Sequence, residues 1–121
     1  MSGFAIDIDG PVLVATMADG ENRLGTPMLV AWNDLLDEAE GNPSVSSLVV
    51  TGHDRHWSTG LDLDEVLGLN DTAAHTFMRK VDLLLGRILT APLVTVAALN
   101  GHTYAAGALL ALAFDYRTMR E

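Results

Sequence analysis

Twice in this chain a short β-type apolar run leads into a glycine-containing bend that opens into a helix. The two bends are His56-Trp57-Ser58-Thr59-Gly60-Leu61-Asp62 and Asn100-Gly101-His102-Thr103-Tyr104-Ala105-Ala106-Gly107-Ala108. A helix N-terminus leaves backbone N–H donors without partners in a partly positive field, which suits a developing anion. Two such donors, one from each bend, directed at a single oxygen would form an oxyanion hole.

The rest of the pattern supplies a frame for the bends. Phe4–Ile8 alternates apolar and polar, Asp9-Gly10-Pro11 turns the chain, and Val12–Met17 returns as the second strand of a hairpin. After a polar loop over 18–25, Thr26-Pro27 predicts a helix with Thr26 as N-cap and Pro27 at the first helical position. Met28, Trp32, Leu35, Leu36 and Ala39 fall on one face of that helix, and Gly41-Asn42-Pro43 breaks it. A strand over Ser46–Thr51 follows. Asp62 is placed to cap a short helix through Val66-Leu67, and a longer helix carries Phe77, Val81, Leu84 and Ile88 until Pro92. Leu93–Ala98 predicts a strand covered on both faces, and Tyr104–Phe114 a helix buried all round. Asp115–Glu121 predicts the start of a strand without a partner. The class is α/β.

Composition excludes several functions. With 121 residues, 49% of them hydrophobic, the chain can bury one core and is expected to be one domain. A net charge of -9 with only seven Lys and Arg argues against a nucleic-acid or anionic-membrane surface. The absence of cysteine removes thiolate nucleophiles and Cys-ligated metals and points to a cytoplasmic setting. Met1-Ser2-Gly3-Phe4 lacks the basic start of a signal peptide, and the longest apolar stretch is too short to cross a bilayer. His53, Asp54 and His56 lack a convincing further ligand, so no metal is expected.

From about Asp9 to its last residue the sequence resembles the crotonase, or enoyl-CoA hydratase/isomerase, superfamily. The likeness is carried by Leu48-Val49-Val50-Thr51-Gly52, Ser58-Thr59-Gly60-Leu61-Asp62-Leu63, Asn100-Gly101-His102 and Asp115-Tyr116-Arg117, in order and at the family's spacing. The resemblance implies a ClpP/crotonase-like fold of repeated β-β-α units, of which residues 1–121 form the N-terminal part, the family's C-terminal portion lying beyond. It also implies a coenzyme A thioester as substrate, no separate cofactor, and a trimer or hexamer in the full-length form.

Carried over by position, the two oxyanion donors are the backbone N–H groups of Leu61 and Ala106, the catalytic pair. Arg23, Leu24, Ser58, Thr59, Gly60, Asp62, Tyr104 and Ala105 are the further substrate-binding positions. Where many members have three glycines this chain has Ala105-Ala106-Gly107. Alanine replaces glycine without strain only where φ is negative, and a helix start is expected to provide that. Each donor would stabilise an enolate oxygen by roughly 3 to 4 kcal/mol. Family hydratases place one glutamate two residues after the glycine segment, and that position here is Leu109. Losing it while keeping the hole is similar to the delta(3)-delta(2)-enoyl-CoA isomerases, which move a double bond from C3 to C2 with a single glutamate. That glutamate falls beyond residue 121, and Glu121 is too early to be it. A hydratase-like activity and a non-catalytic acyl-CoA-binding module are the alternatives. Clp-type serine proteases share the fold, but the nucleophile position is Ala105 and no serine follows in that helix.

Overall fold

The computed structural model describes residues 3–120, so the readings of Met1, Ser2 and Glu121 lie outside it. The hairpin forms as expected, β1 (Phe4–Asp9) against β2 (Val12–Met17), antiparallel from Phe4 opposite Met17 to Asp9 opposite Val12. Every later strand of this sheet runs parallel to its neighbour and therefore needs a crossover. Helix α1 (Thr26–Gly41) carries the chain from β2 to β3 (Ser47–Thr51). The next crossover contains β4 (His56–Ser58), α2 (Leu63–Leu67) and α3 (Asp71–Leu89) before β5 (Val94–Leu99). The last contains β6 (His102–Thr103) and α4 (Ala106–Ala113) before β7 (Tyr116–Met119). The main sheet thus has the order β1-β2-β3-β5-β7, and β4 pairs with β6 in a small parallel sheet of its own. Each of the two later units leaves the main sheet, adds one short strand to the small sheet, and returns through helix.

Burial explains the helices. Met28, Leu29, Ala31, Trp32, Leu35, Leu36 and Ala39 of α1 are buried, as are Phe77, Val81, Leu84 and Ile88 of α3. Trp32 is the hub of an aromatic cluster, edge-on to Phe4 at 5.0 Å and to Phe114 at 6.1 Å, with Trp57 at 6.3 Å. Such pairs contribute about 0.5–1.5 kcal/mol each beyond the area they bury. Trp57 also donates from its indole nitrogen to the Val50 carbonyl at 3.1 Å, which ties β4 to β3.

Four sequence expectations are corrected. Thr26 is the first residue of α1 rather than its cap; Gly25 stands at the cap position, and the Thr26 N–H donates instead to the Glu65 carboxylate at 2.9 Å. Helix α4 is not buried all round, because Leu109 is 53% and Leu112 63% exposed while Leu110 and Ala111 face the core. Strand β5 buries Thr95 and Ala97 on one face, and Val94 on the other is exposed. Strand β7 does have a partner, pairing in parallel with β5 from Val96 opposite Tyr116 to Leu99 opposite Met119. Its entry is fixed by a reciprocal pair of bonds at 3.0 Å: the Thr95 N–H donates to the Asp115 carboxylate, and the Asp115 N–H donates to the Thr95 hydroxyl. Among the described residues no helix is long and apolar enough to cross a membrane.

Close backbone contact fixes where α4 begins. A Cβ at Gly107 would stand 2.3 Å from the Ser58 carbonyl oxygen, so only glycine lets the helix rest against β4. Gly86 is the contrast, exposed within α3, where a methyl would meet nothing within 4 Å. Gly107→Ala is therefore expected to destabilise the fold by about 2 kcal/mol through overpacking. Gly86→Ala is expected to stabilise it by about 0.5–1 kcal/mol through helix propensity. Urea unfolding of both variants checks the pair; equal effects would contradict the packing account.

Candidate active site

Each bend is pinned by hydrogen bonds to the segments around it. At the first, Ser58 is fully buried; its hydroxyl donates to the Asn22 carbonyl at 2.9 Å and accepts the Gly60 N–H at 3.3 Å. The Thr59 N–H donates to the Glu21 carbonyl at 3.1 Å, and the Thr59 hydroxyl donates to the Glu21 carboxylate at 2.9 Å. Leu24 and Leu61 form a parallel bridge in which the Leu24 N–H donates to the Gly60 carbonyl at 2.7 Å and the Asp62 N–H donates to the Leu24 carbonyl at 3.1 Å. In such a bridge the intervening N–H points to the other side. Among the described residues the Leu61 N–H donates no hydrogen bond.

The second bend is built on the first. The His102 N–H donates to the Arg55 carbonyl at 2.8 Å and the Tyr104 N–H to the Ser58 carbonyl at 3.0 Å. Asn100 staples the two bends, since its amide oxygen accepts the Gly52 N–H at 2.8 Å while its NH2 donates to the Asp54 and His56 carbonyls, each at 3.2 Å. Gly107 and Ala108 donate to the Tyr104 carbonyl, and Leu109 to that of Ala105. The Ala106 N–H, at the first position of α4, donates none among the described residues. No acidic residue occupies the first turn of α4, so its partly positive end is uncompensated by its own side chains.

The bends meet at Gly60. Its φ is +105°, and a Cβ there would lie 3.2 Å from the Ala106 nitrogen and 3.3 Å from both the Ala105 Cβ and the Tyr104 carbonyl oxygen. Any side chain at position 60 would fill the space beside the Ala106 amide. The structure therefore brings together the segments carrying Leu61 and Ala106, each with an undonated N–H.

The remaining expected positions fall into different environments. The Leu24 side chain is wholly buried, so its contribution to the bend is made by its backbone; the buried Ser58 likewise supports the bend from within. Asp62 caps α2 by accepting the Glu65 N–H at 3.3 Å. Arg23 is exposed and paired, 3.4 Å from Glu21 and 3.5 Å from Asp64. The hydrogen bond and charge of Glu21 hold the Arg23 guanidinium above its ordinary pKa, and the Thr59 hydroxyl, with Arg23 second, holds the Glu21 carboxyl below the usual value. Tyr104 is half exposed, with its hydroxyl 2.8 Å from His102 Nδ1 and its ring stacked on that imidazole. Both side chains line an open cavity of about 510 Å³, with Arg55, Leu99, Met119 and Arg120 among its walls. Asn100, Asn22 and Glu65 are the supporting residues that sequence reasoning missed. Asn22, nearly fully buried with φ +54°, donates from its side chain to the Trp57 carbonyl at 2.9 Å. A polar residue in a bend that must lie against a buried strand is the signal that could have found the two asparagines.

One expectation about the bend is overturned. Ala105 has φ +49° and ψ -122°, a region that favours glycine, and not the negative φ expected of a helix start. The residue just before the helix makes the turn that points Ala106 at Gly60. Holding a non-glycine residue there costs about 1–3 kcal/mol. Ala105→Gly is accordingly expected to raise stability by about 1 kcal/mol, the reverse of the usual effect of alanine to glycine, as thermal unfolding would show. A loss of stability would contradict the strain.

A model of the enoyl-CoA hydratase/isomerase family matches residues 7–121. The chain is 33% identical over 115 residues to a peroxisomal enoyl-CoA delta isomerase 2 of Arabidopsis thaliana, covering 90% of this chain and 48% of that protein. It is 37% identical over 121 residues to a Thermus thermophilus protein provisionally named as an enoyl-CoA hydratase, covering 93% and 46%. The crystal structure of an enoyl-CoA hydratase from Bacillus anthracis superposes with a TM-score of 0.90 at 21% identity, over 96% of this chain and 46% of that one, which shows the fold. The chain thus spans about half the length of the relatives it matches. Its fold is crotonase-like, and the chain belongs to the enoyl-CoA hydratase/isomerase family.

Proposed function

We propose that the two bends bind the thioester carbonyl of an acyl-CoA between the N–H groups of Leu61 and Ala106, and that the reaction served is the shift of an enoyl-CoA double bond from C3 to C2. The observation that carries this reading is the meeting of the bends at Gly60, with both amides left without donated hydrogen bonds. A proton leaves C2, the electron pair moves toward the carbonyl oxygen to give a dienolate, and a proton is returned at C4. The two amides stabilise the charge on that oxygen in the intermediate and the transition states flanking it. A single base then suffices to carry the proton from C2 to C4.

Isomerisation is favoured over hydration by one residue. Leu109, at the place where the family's hydratases carry a first glutamate, is a half-exposed aliphatic side chain that offers no acceptor to orient a water. The carboxylates near the bends are already engaged: Asp62 caps α2 and Glu21 holds Thr59 and Arg23. In this reading the present residues supply the hole, and the base comes from the remainder of the family's domain.

The test is infrared difference spectroscopy of a saturated acyl-CoA labelled with carbon-13 at its carbonyl. Binding to the protein is expected to move the carbonyl band to lower frequency. Ala106→Pro removes one N–H at a helix position where proline is tolerated, and is expected to lose most of that shift. In an active full-length protein the same change should lower turnover by roughly 10²–10³-fold. Gly60→Ala, which puts a methyl beside the Ala106 amide, is expected to act in the same direction. A full downshift in both variants would contradict the assignment.

A further inference from the structure

The first bend is tied to the N-terminus of α1 through the Glu65 carboxylate. Residues 24–26 and 60–65 are laced together around Leu61. The Leu24 N–H reaches the Gly60 carbonyl at 2.7 Å, the Asp62 N–H reaches the Leu24 carbonyl at 3.1 Å, and the Asp62 carboxylate accepts the Glu65 N–H at 3.3 Å. Glu65 closes the circuit with its two carboxylate oxygens, accepting the Thr26 N–H at 2.9 Å with one and the Thr26 hydroxyl with the other. The packing leaves no slack: a Cβ on Gly25 would stand 2.8 Å from Glu65 Oε1 and 3.2 Å from the Asp62 Cβ.

Glu65 also meets an electrostatic need. Helix α1 has no side-chain cap of its own and no acidic residue in its first turn, so its N-terminal donors face the Glu65 carboxylate across 39 residues of sequence. α1 is the element most firmly seated in the core, through Trp32, Leu35 and Leu36. The short helix α2 has no fully buried residue, and of its side chains Val66 packs against the core. Glu65 joins this helix to the N-terminus of α1.

We infer that Glu65 is a positioning residue for the oxyanion hole, fixing the direction of the Leu61 N–H by fastening the first bend to the N-terminus of α1. This rests on the thioester reading above. A residue that only capped α1 would affect stability alone, whereas a positioning residue changes how strongly the bound carbonyl is polarised.

The labelled carbonyl separates the two. Glu65→Ala is expected to lose most of the downshift seen with the unaltered protein while still binding the acyl-CoA. Glu65→Gln, which keeps an acceptor oxygen for the Thr26 N–H, is expected to restore most of it. A full downshift in Glu65→Ala alongside a lowered Tm would overturn the inference and leave Glu65 as a cap. Should Glu65→Ala not fold, Thr26→Val removes the hydroxyl contact alone: a reduced downshift supports the role, and an unchanged one overturns it. No downshift in the unaltered protein would remove the thioester reading itself, and this inference with it, a result distinct from failure of the variants alone.

Discussion

The candidate site depends throughout on the approach of Gly60 to the Ala106 amide. Backbone segments from different crossovers rarely come so near, because each normally carries side chains that hold the other off. Here glycine clears the way at the crossing points, Gly60 beside Ala106 and Gly107 against the Ser58 carbonyl. The small sheet of β4 and β6 then aligns the bends that follow it, because both strands run in the same direction and are released at the same end. The segments that carry the Leu61 and Ala106 amides are thereby laid side by side.

Polar side chains hold that arrangement where apolar packing cannot. Asn100 bonds backbone groups on both sides of the first loop, Asn22 bonds the Trp57 carbonyl from beneath, and Glu65 joins the bend to α1. No side-chain polar atom buried among the described residues is left without a partner. The Ala106 amide stands at the first position of α4, where the local field favours negative charge, and the Leu61 amide stands between the Gly60 and Asp62 groups that bridge to Leu24.

Much of this frame was legible in the sequence, for reasons that differ by element. The hairpin, α3 and the buried face of α1 follow from periods of 2 and 3.6 in long enough runs. The family motifs, read together, located both bends, and the family and fold they implied are those found. Strands β4 and β6 were not legible, since His56-Trp57-Ser58 and His102-Thr103 are too short and too polar to show alternation. They are strands only because each has the other. The cap of α1 was misread because Thr26-Pro27 is a strong local signal, while the group that meets that N-terminus comes from Glu65, far along the chain. The positive φ of Ala105 contradicts local preference outright, and it was hidden because tertiary geometry imposes it at the bend where the chain must turn toward Gly60. The burial of α4 was overstated because hydrophobicity all round says nothing of which face finds a neighbour within these residues.

The central claim is that the Leu61 and Ala106 amides share one carbonyl oxygen, and nuclear magnetic resonance reads each amide directly. The protein would be titrated with a saturated acyl-CoA thioester and, separately, with its thioether analogue, which keeps the acyl chain and coenzyme but lacks the oxygen. The account predicts that the Leu61 and Ala106 amide protons both move downfield with the thioester and not with the thioether. Equal shifts with the two ligands, or a response from only one of the two amides, would contradict it.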